Sequence, residues 1–294
     1  MAAIGIPVAV AVIHVGGWIF GALLALVAVG AALELYRLSR LRGVEPFAAV
    51  GALTAAVFVL VAAGRLTAGD VSPLWVALAM IFLLVTSGAA VWARGVEGQP
   101  LFAIAVTIFG AFFTGWTLSH ALFLRHELTA GAVLSMAGAP ALLATEAWAG
   151  TSLVVFAVGL TWINDSCAYF AGRAWGRRKL IPKVSPGKTV VGAVAGVIGA
   201  VVVGAIFSWV VLEGWYDLPV GLIEGALGGG LIAITAQVGD LVESVFKREA
   251  GVKDSGHLLP GHGGVLDRFD ALFFTLPVAY GYMAVLLGRS GGLI

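Results

Sequence analysis

The stretch from residue 189 to residue 212, TVVGAVAGVIGAVVVGAIFSWVVL, decides the fold class of this chain. It contains no Asp, Glu, Lys or Arg, and it exceeds the roughly 20 apolar residues that a helix needs to cross a bilayer. Its apolar residues follow one another without the alternating polarity of a membrane barrel strand. Because a helix also satisfies its own backbone hydrogen bonds in lipid, the stretch predicts a transmembrane helix.

Further stretches of the same character predict an all-α, polytopic membrane bundle. The chain is 60% hydrophobic and 11% charged, with a mean hydropathy of +1.02, whereas soluble domains carry about 25% charged residues. The predicted spans cover residues 2–14, 17–38, 46–64, 71–93, 101–122, 147–172, 189–212, 218–240 and 269–288. The first is short for a full crossing, and no Lys or Arg precedes it, so it lacks the start of a cleaved secretory signal.

The basic residues predict the orientation of this bundle, because Lys and Arg accumulate in cytoplasmic loops. Loops that follow even-numbered spans hold 14 of the 17 basic residues, and Arg65, Arg125 and Arg289 fall on the other side. We therefore expect a multi-pass protein of the inner or plasma membrane, with its N-terminus and its charged loops in the cytoplasm. The single cysteine, Cys167, excludes an intrachain disulfide and a multi-cysteine metal site.

Polar residues divide the chain functionally near residue 147. Residues 1–146 are interpreted as a helical scaffold with a lipid groove, and residues 147–294 as the catalytic half with cytoplasmic charged loops. Glu34 sits toward the end of a span, where a charged side chain can reach the headgroups at little cost. We therefore interpret it as an interfacial anchor. Residues 128–150 are interpreted as an external loop or a broken helix.

Residues 244–270, SVFKREAGVKDSGHLLPGHGGVLDRFD, bring charged side chains and histidines between apolar segments. Asp240, Glu243 and Lys247 share one face if their helix continues past the membrane edge. Asp267 has a similarly spaced partner three positions on, at Asp270. Carboxylates from two helix ends form a hard-oxygen site suited to Mg²⁺.

The Gly-His-Gly-Gly sequence of residues 261–264 predicts a phosphate-binding turn. Its backbone can approach a phosphate closely, and the N-terminus of the helix that follows favours anions. Lys253, Asp267 and Arg268 flank it, so we interpret it as a pyrophosphate cradle. Neither His257 nor His262 is assigned a general-base role.

Both charged blocks of the second half resemble the signature of the CDP-diacylglycerol synthases, also called phosphatidate cytidylyltransferases. The later block matches the pattern Ser-x-x-Lys-Arg, Lys-Asp, Pro-x-His-Gly-Gly and Asp-Arg-x-Asp at Ser244, Lys247, Arg248, Lys253, Asp254, Pro260, His262, Gly263, Gly264, Asp267, Arg268 and Asp270. The earlier block matches the Asn-Asp, Ala-Tyr, Gly-Arg and Ser-Pro-x-Lys-Thr elements at Asn164, Asp165, Ala168, Tyr169, Gly172, Arg173, Ser185, Pro186, Lys188 and Thr189. Two positions after that Thr, where the family usually has Glu, this chain has Val191.

The resemblance implies transfer of CMP from CTP to phosphatidic acid, giving CDP-diacylglycerol and pyrophosphate in phospholipid biosynthesis. The implied partners are CTP, phosphatidic acid and membrane lipids, without nucleic acid, and the implied cofactor is Mg²⁺. A second cation such as K⁺ and a homodimer are left open.

The resemblance also implies roles for individual residues. The implied catalytic residues are Asp240, Asp267, Lys247 and Arg268. The implied substrate contacts are Asn164, Asp165, Ser185, Lys188, Thr189, Ser244, Arg248, Lys253, Asp254, His262, Gly263 and Gly264. The implied metal ligands are Asp240, Asp267, Glu243 and Asp270.

Two alternative functions remain open from the sequence. A CTP-dependent enzyme acting on an isoprenoid lipid phosphate would share the nucleotide and metal residues. A transporter would also place charges in a helical bundle, but transporters commonly show repeated halves and charges at the midplane. Here the charges gather at one face, and the two halves differ.

Overall fold

The computed structural model describes residues 2–68, 72–134, 142–256 and 263–290. The elements in chain order are α1 Ala2–Val15, α2 Gly17–Arg40, α3 Ala48–Ala68, α4 Ser72–Ala93, α5 Pro100–Ala111, α6 Thr117–Leu134, α7 Leu142–Trp175, β1 Lys179–Ile181, β2 Ser185–Thr189, α8 Val190–Phe207, α9 Leu222–Glu249, α10 Leu266–Phe269 and α11 Leu272–Ser290. Two π-helical segments, Phe112–Trp116 and Ser208–Glu213, join α5 to α6 and extend α8.

Within these described residues, seven helical segments are long and apolar enough to cross a membrane. They are Gly17–Arg40, Pro73–Ala93, Pro100–Leu128, Glu146–Trp175, Val190–Glu213, Leu222–Glu249 and Leu266–Gly288. Two shorter apolar segments, Gly5–Val15 and Ala48–Gly64, account for the other two predicted spans. The chain is therefore a polytopic helical membrane protein, and the predicted fold class is confirmed.

The region predicted as a loop or broken helix is largely helical. Helix α6 continues to Leu134, and α7 already begins at Leu142. The polar residues in this region did not stop either helix, because isolated polar residues are tolerated at helix ends near the membrane surface. Residues 135–141 lie outside the described part of the chain.

A short β-hairpin between α7 and α8 is an element that the sequence interpretation lacked. Strands β1 and β2 pair antiparallel, with Lys179 opposite Thr189 and Ile181 opposite Ser185. Thr189 then caps α8, because its Oγ1 accepts a hydrogen bond of 3.1 Å from the backbone N–H of Gly192. The hairpin carries the predicted Ser185 to Thr189 motif to the start of α8.

The chain forms two compact units, each assembled from separate parts of the sequence. The first unit contains residues 1–16, 120–242 and 274–294, and the second contains residues 17–119 and 243–273. Helix α9 passes from the first unit into the second at residues 242 and 243. The division predicted near residue 147 separates a scaffold from a catalytic half, and it is a different division from these two structural units. It stays a prediction.

The first unit is built around α7, which packs along α8. Its core includes Leu153, Phe156 and Leu160 of α7, all nearly inaccessible to solvent. Gly196 of α8 permits a close approach to α7, because a Cβ atom there would lie 2.5 Å from Asn164 Oδ1. This contact brings the Asn-Asp motif of α7 against α8.

The second unit packs α2 against α3. Tyr36 of α2 is fully buried, and its hydroxyl donates a hydrogen bond of 2.8 Å to the carbonyl of Thr107. Phe58 of α3 stacks on Trp75 with ring centroids 5.4 Å apart, and it also contacts the edge of Trp116. The Tyr36 hydrogen bond ties the C-terminal half of α2, on which Glu34 lies, to α5.

Candidate active site

The first unit contains a polar cluster that we call the Asp240 cluster, formed by Asn164, Asp165, Lys188, Gln237 and Asp240. Helix α7 supplies the first two residues, β2 supplies the lysine, and α9 supplies the last two. The Lys188 Nζ atom lies 2.7 Å from Asp240 Oδ2, and the two side chains keep 26% and 34% of their surface exposed. The structure thus brings together Lys188 and Asp240, two predicted residues that are 52 positions apart in the sequence, and it leaves their ion pair accessible.

A hydrogen-bonded chain fixes the buried end of the Asp240 cluster. Gln237 Nε2 donates to Asn164 Oδ1 at 2.8 Å and to the carbonyl of Ala193 at 2.9 Å. Asn164 Nδ2 in turn donates to Asp165 Oδ1 at 3.0 Å. Since Asn164 is only 1% exposed, these bonds satisfy an amide that burial would otherwise penalise.

Charge also links the members of the Asp240 cluster. The negative charge of Asp240 acts on the Asp165 carboxylate, and the positive charge of Lys188 offsets it. Two carboxylates held near each other disfavour their common ionised state unless a cation stands nearby. In this structure, Lys188 supplies that cation.

The second unit contains another polar cluster, the Asp267 cluster, formed by Glu34, Glu243, Lys247, Ser255 and Asp267. Lys247 Nζ lies 2.5 Å from Glu243 Oε2, one helical turn back on α9, and 2.7 Å from Asp267 Oδ1 on α10. Glu243 is 0% exposed, and the Lys247 and Asp267 side chains are 14% and 12% exposed. The single positive charge of the lysine therefore lies between two acids that are almost wholly removed from solvent.

The other oxygen of Asp267 is held by three further donors. Oδ2 accepts hydrogen bonds from the Ser255 N–H at 3.0 Å and from the Gly264 N–H at 2.9 Å, and it lies 3.0 Å from Ser255 Oγ, whose single proton it shares with Glu34. Four donors thus fix both oxygens of this carboxylate when Lys247 is included. Asp267 has a single, well-determined orientation as a result.

Glu34 was misinterpreted as an interfacial anchor. Its side chain is only 7% exposed, and it accepts bonds from Ser255 Oγ at 2.8 Å, the Val265 N–H at 3.0 Å and the Leu266 N–H at 2.8 Å. The available signal was an acid inside an otherwise apolar span, which by default indicates function rather than anchoring. The backbone N–H groups expected to face phosphate at the start of α10 are bound to this glutamate instead.

The remaining predicted residues differ in their exposure. Ser244 is buried on α9, and Arg248 donates to the Val252 carbonyl at 3.1 Å. Lys253, Asp254 and Arg268 are exposed. Asp270 Oδ1 accepts a hydrogen bond from the Ala271 N–H at 2.6 Å.

Only part of the predicted phosphate-binding turn is described. Gly263 has a φ of +79°, a left-handed conformation that glycine adopts without strain. Gly264 donates its N–H to Asp267. Pro260, His257 and His262 lie outside the described residues.

The acids of the two clusters differ in their fit to a magnesium ion. No group of three or more His, Cys, Asp or Glu side chains that could hold a metal occurs in the described parts of the chain. Mg²⁺ in nucleotide enzymes is commonly bound by one or two carboxylates together with substrate phosphates and water. Asp240, one-third exposed and close to the charge of Asp165, fits that mode, whereas ligation by Asp267 requires Lys247 to leave Oδ1.

The fold is that of a polytopic membrane protein, and its two lysine-carboxylate clusters provide charged groups suited to phosphate chemistry. The family model of the "Cytidylyltransferase family" matches residues 1–286, so the chain belongs to this family and is a nucleotidyltransferase. The predicted family resemblance is confirmed.

Several named relatives are similar to this chain. A "Phosphatidate cytidylyltransferase" of Synechocystis is 36% identical over 296 residues, covering 97% of this chain and 95% of the relative. "Phosphatidate cytidylyltransferase 4, chloroplastic" of Arabidopsis thaliana is 33% identical, covering 98% and 73%. A "Phosphatidate cytidylyltransferase" of Bacillus subtilis is 43% identical over 136 residues, which cover 46% of this chain and 49% of the relative.

Proposed function

We propose that this enzyme transfers CMP from CTP to phosphatidic acid, forming CDP-diacylglycerol and pyrophosphate. The observation that carries the proposal is the Synechocystis relative, named phosphatidate cytidylyltransferase, which aligns with 97% of this chain. The match of both charged blocks to the family pattern supports it, and five of the matching residues, Asn164, Asp165, Lys188, Lys247 and Asp267, lie in the Asp240 and Asp267 clusters. CTP, phosphatidic acid and the surrounding lipids are the proposed partners.

The reaction needs charge neutralisation more than proton transfer. An oxygen of the lipid phosphate bonds to the α-phosphorus of CTP, and the bond from that phosphorus to the α,β-bridging oxygen breaks. Pyrophosphate leaves with the electron pair. Because the attacking phosphate is already anionic at neutral pH, no general base is required, and positively charged groups allow the two anions to approach.

Exposed basic residues are proposed to bind the phosphates. Lys188 is a quarter exposed and needs only to turn from Asp240 to meet a phosphate, while Arg248, Lys253 and Arg268 are exposed. Lys247 is proposed to act from within the Asp267 cluster, where it is fixed between two acids. Ser185, Thr189, Ser244 and Asp254 remain proposed substrate contacts.

Mg²⁺ is the proposed cofactor, with Asp240 and Asp267 as its first ligands and Glu243 and Asp270 as further candidates. When bound, the ion would stabilise negative charge that develops on the phosphates. Asp240 supports this assignment through its exposure and its proximity to a second acid. A second cation such as K⁺, a homodimer and the absence of nucleic acid partners stay predictions.

The proposed location is the inner or plasma membrane, with the active site facing the cytoplasm, where CTP is available. The distribution of 14 of 17 basic residues supports this orientation. A cysteine introduced at Lys183 or Lys253 of the Cys167→Ser protein should be shielded from impermeant thiol reagents in intact cells. Labelling of both positions from outside would overturn the orientation.

The activity is tested with purified protein, labelled CTP and Mg²⁺ in lipid nanodiscs that contain either phosphatidic acid or an isoprenoid monophosphate. We expect labelled CDP-diacylglycerol and stoichiometric pyrophosphate with phosphatidic acid. A labelled product only with the isoprenoid phosphate would transfer the proposal to that substrate. No product with either lipid would remove the proposed function.

A further inference from the structure

Glu34 is an acid buried within an apolar transmembrane helix. It lies on α2 with 7% of its surface exposed, next to the fully buried Ala31, Ala32 and Tyr36. A buried carboxylate is expensive unless hydrogen bonds or charges compensate it. Its three donors are therefore part of the reason that this residue can occupy the position.

Two of these donors belong to the backbone at the start of α10. Val265 N–H binds Glu34 Oε1, and Leu266 N–H binds Oε2. The first N–H groups of a helix have no partner within the helix itself. Glu34 thus supplies, from α2, the cap that holds the turn on which Asp267 lies two residues later.

Ser255 links Glu34 directly to Asp267. Its hydroxyl lies 2.8 Å from Glu34 Oε2 and 3.0 Å from Asp267 Oδ2, while its N–H also binds that Asp267 oxygen. A hydroxyl carries one proton, so the two acids share this donor. The orientation of Asp267 consequently depends on the position of Glu34 through both the serine and the α10 backbone.

Gly256 and Gly264 have no side chains, and this provides the space that the Glu34 carboxylate occupies. A Cβ atom on Gly256 would lie 2.3 Å from Glu34 Oε1, and one on Gly264 would lie 2.3 Å from Oε2 and closer still to Ser255 Oγ. Real Cβ contacts are longer than this, so any side chain at either position would displace the carboxylate. The described residues Gly256 and Gly264 thus leave room for the Glu34 carboxylate.

We propose that Glu34 is a positioning residue for the transfer reaction, acting through the α10 backbone and Ser255 to fix Asp267 and, through it, Lys247. The inference rests on the proposed function. Under this proposal, a residue of the scaffold part of the chain, residues 1–146, influences the orientation of Asp267. Glu34 itself contacts neither substrate.

The test compares Glu34→Gln with Glu45→Gln in the purified full-length protein. Glu45 lies in the same unit, but it is exposed and pairs with Arg40 at the surface. Loss of a hydrogen-bonding partner behind a functional ligand typically lowers activity about 10- to 100-fold. We expect kcat of Glu34→Gln to fall by about that factor, with little change in KM for CTP, and Glu45→Gln to match the wild type.

Coupling to Asp267 separates positioning from a general structural role. In an Asp267→Asn background, Glu34→Gln should reduce the residual rate by less than about threefold, because the acid it orients is absent. Ser255→Ala should give a smaller loss than Glu34→Gln, with the same coupling. The proposal would be overturned if Glu34→Gln lowered the rate by the same factor in the Asp267→Asn background as in the wild-type protein. A Glu34→Gln rate equal to that of Glu45→Gln would also overturn it.

Hydrogen exchange gives a readout that does not depend on activity. Amides of residues 263–272 should exchange faster in Glu34→Gln than in the wild type, with no such change in Glu45→Gln. If the wild type makes no CDP-diacylglycerol, the proposed function fails, and this exchange comparison alone decides the role of Glu34. Unchanged exchange in that segment would then reject it.

Discussion

The Asp240 cluster and the Asp267 cluster both place a lysine between or beside carboxylates, but they differ in accessibility. The Lys188 and Asp240 side chains are 26% and 34% exposed, whereas those of Lys247 and Glu243 are 14% and 0% exposed. An exposed ion pair is weak because water and salt compete for both partners, and a buried one must keep its partners because an uncompensated buried charge is costly. The Asp240 cluster is therefore suited to exchange a partner for a ligand, and the Asp267 cluster is suited to hold a fixed geometry.

The largest expected effect comes from removing one acid of each cluster. Asp240→Asn and Asp267→Asn should each lower kcat by about a hundredfold to several thousandfold, equivalent to about 3 to 5 kcal/mol of transition-state stabilisation. The two variants should differ in their magnesium dependence. Added Mg²⁺ should partly rescue Asp240→Asn, whose carboxylate is accessible, and should rescue Asp267→Asn less, because four protein donors hold that residue.

Steady-state rates over a magnesium titration measure this difference, with Glu45→Gln as the unaffected control. Equal rescue of both variants would show that the two acids contribute alike to cation binding. Near-wild-type turnover of both at limiting Mg²⁺ would assign both acids to structure.

The second effect concerns stability and compares the two lysines. Lys247→Met leaves Glu243, which is 0% exposed, without its cation, and breaking a buried pair in this way costs about 3 to 5 kcal/mol. Lys188→Met removes a partly exposed pair, which is worth about 1 kcal/mol or less. Unfolding of the two variants in mixed detergent micelles measures the free-energy difference, and equal losses would contradict the contrast between the clusters.

The sequence predicted the local part of each cluster better than its long-range contacts, for a physical reason. Hydrophobic runs are local, so the spans could be predicted from composition and length, whereas helix ends such as Glu249 of α9 and Leu134 of α6 lie beyond the predicted bounds. Asp240, Glu243 and Lys247 lie on one continuous helix, α9, whose periodicity predicted their shared face. The contact between Glu34 and Leu266 joins residues 232 positions apart, and no local pattern carries that information.

The sequence interpretation also missed the β1–β2 hairpin and Gln237, for related reasons. Strands β1 and β2 of the hairpin are only three and five residues long, and such short strands give little alternation of polarity to detect. Gln237 is a neutral residue in an apolar helix, and its importance depends on the approach of Asn164 from α7. The sequence signal available for Gln237 was its polar side chain three positions before Asp240.

The third effect tests the hydrogen-bonded chain behind the Asp240 cluster. Gln237→Leu removes the donor to Asn164 Oδ1 and to the Ala193 carbonyl, and an unsatisfied buried acceptor costs about 1 to 3 kcal/mol. We expect a lower unfolding free energy and a roughly tenfold fall in kcat, which corresponds to about 1.4 kcal/mol. Thr235→Val on the same helix is the control, because Thr235 is exposed and its hydroxyl binds the Leu231 carbonyl of its own helix. Equal kinetics of the two variants would remove Gln237 from the site.

The smallest expected effect is that of Val191→Glu, which restores the residue usual in the family. Val191 is 39% exposed at the start of α8, so the protein leaves room for a carboxylate there. With that helix end at the membrane surface, the free energy of unfolding should change by less than about 0.5 kcal/mol. An acid in the first turn also favours the helix dipole. Turnover should stay the same or rise, because the new carboxylate adds a negative charge near the basic residues that precede α8. Steady-state kinetics and detergent unfolding measure both quantities.

A variant that folds normally but loses all turnover would show that this segment is misaligned with the family pattern, and a large loss of stability would show that the valine is packed rather than exposed.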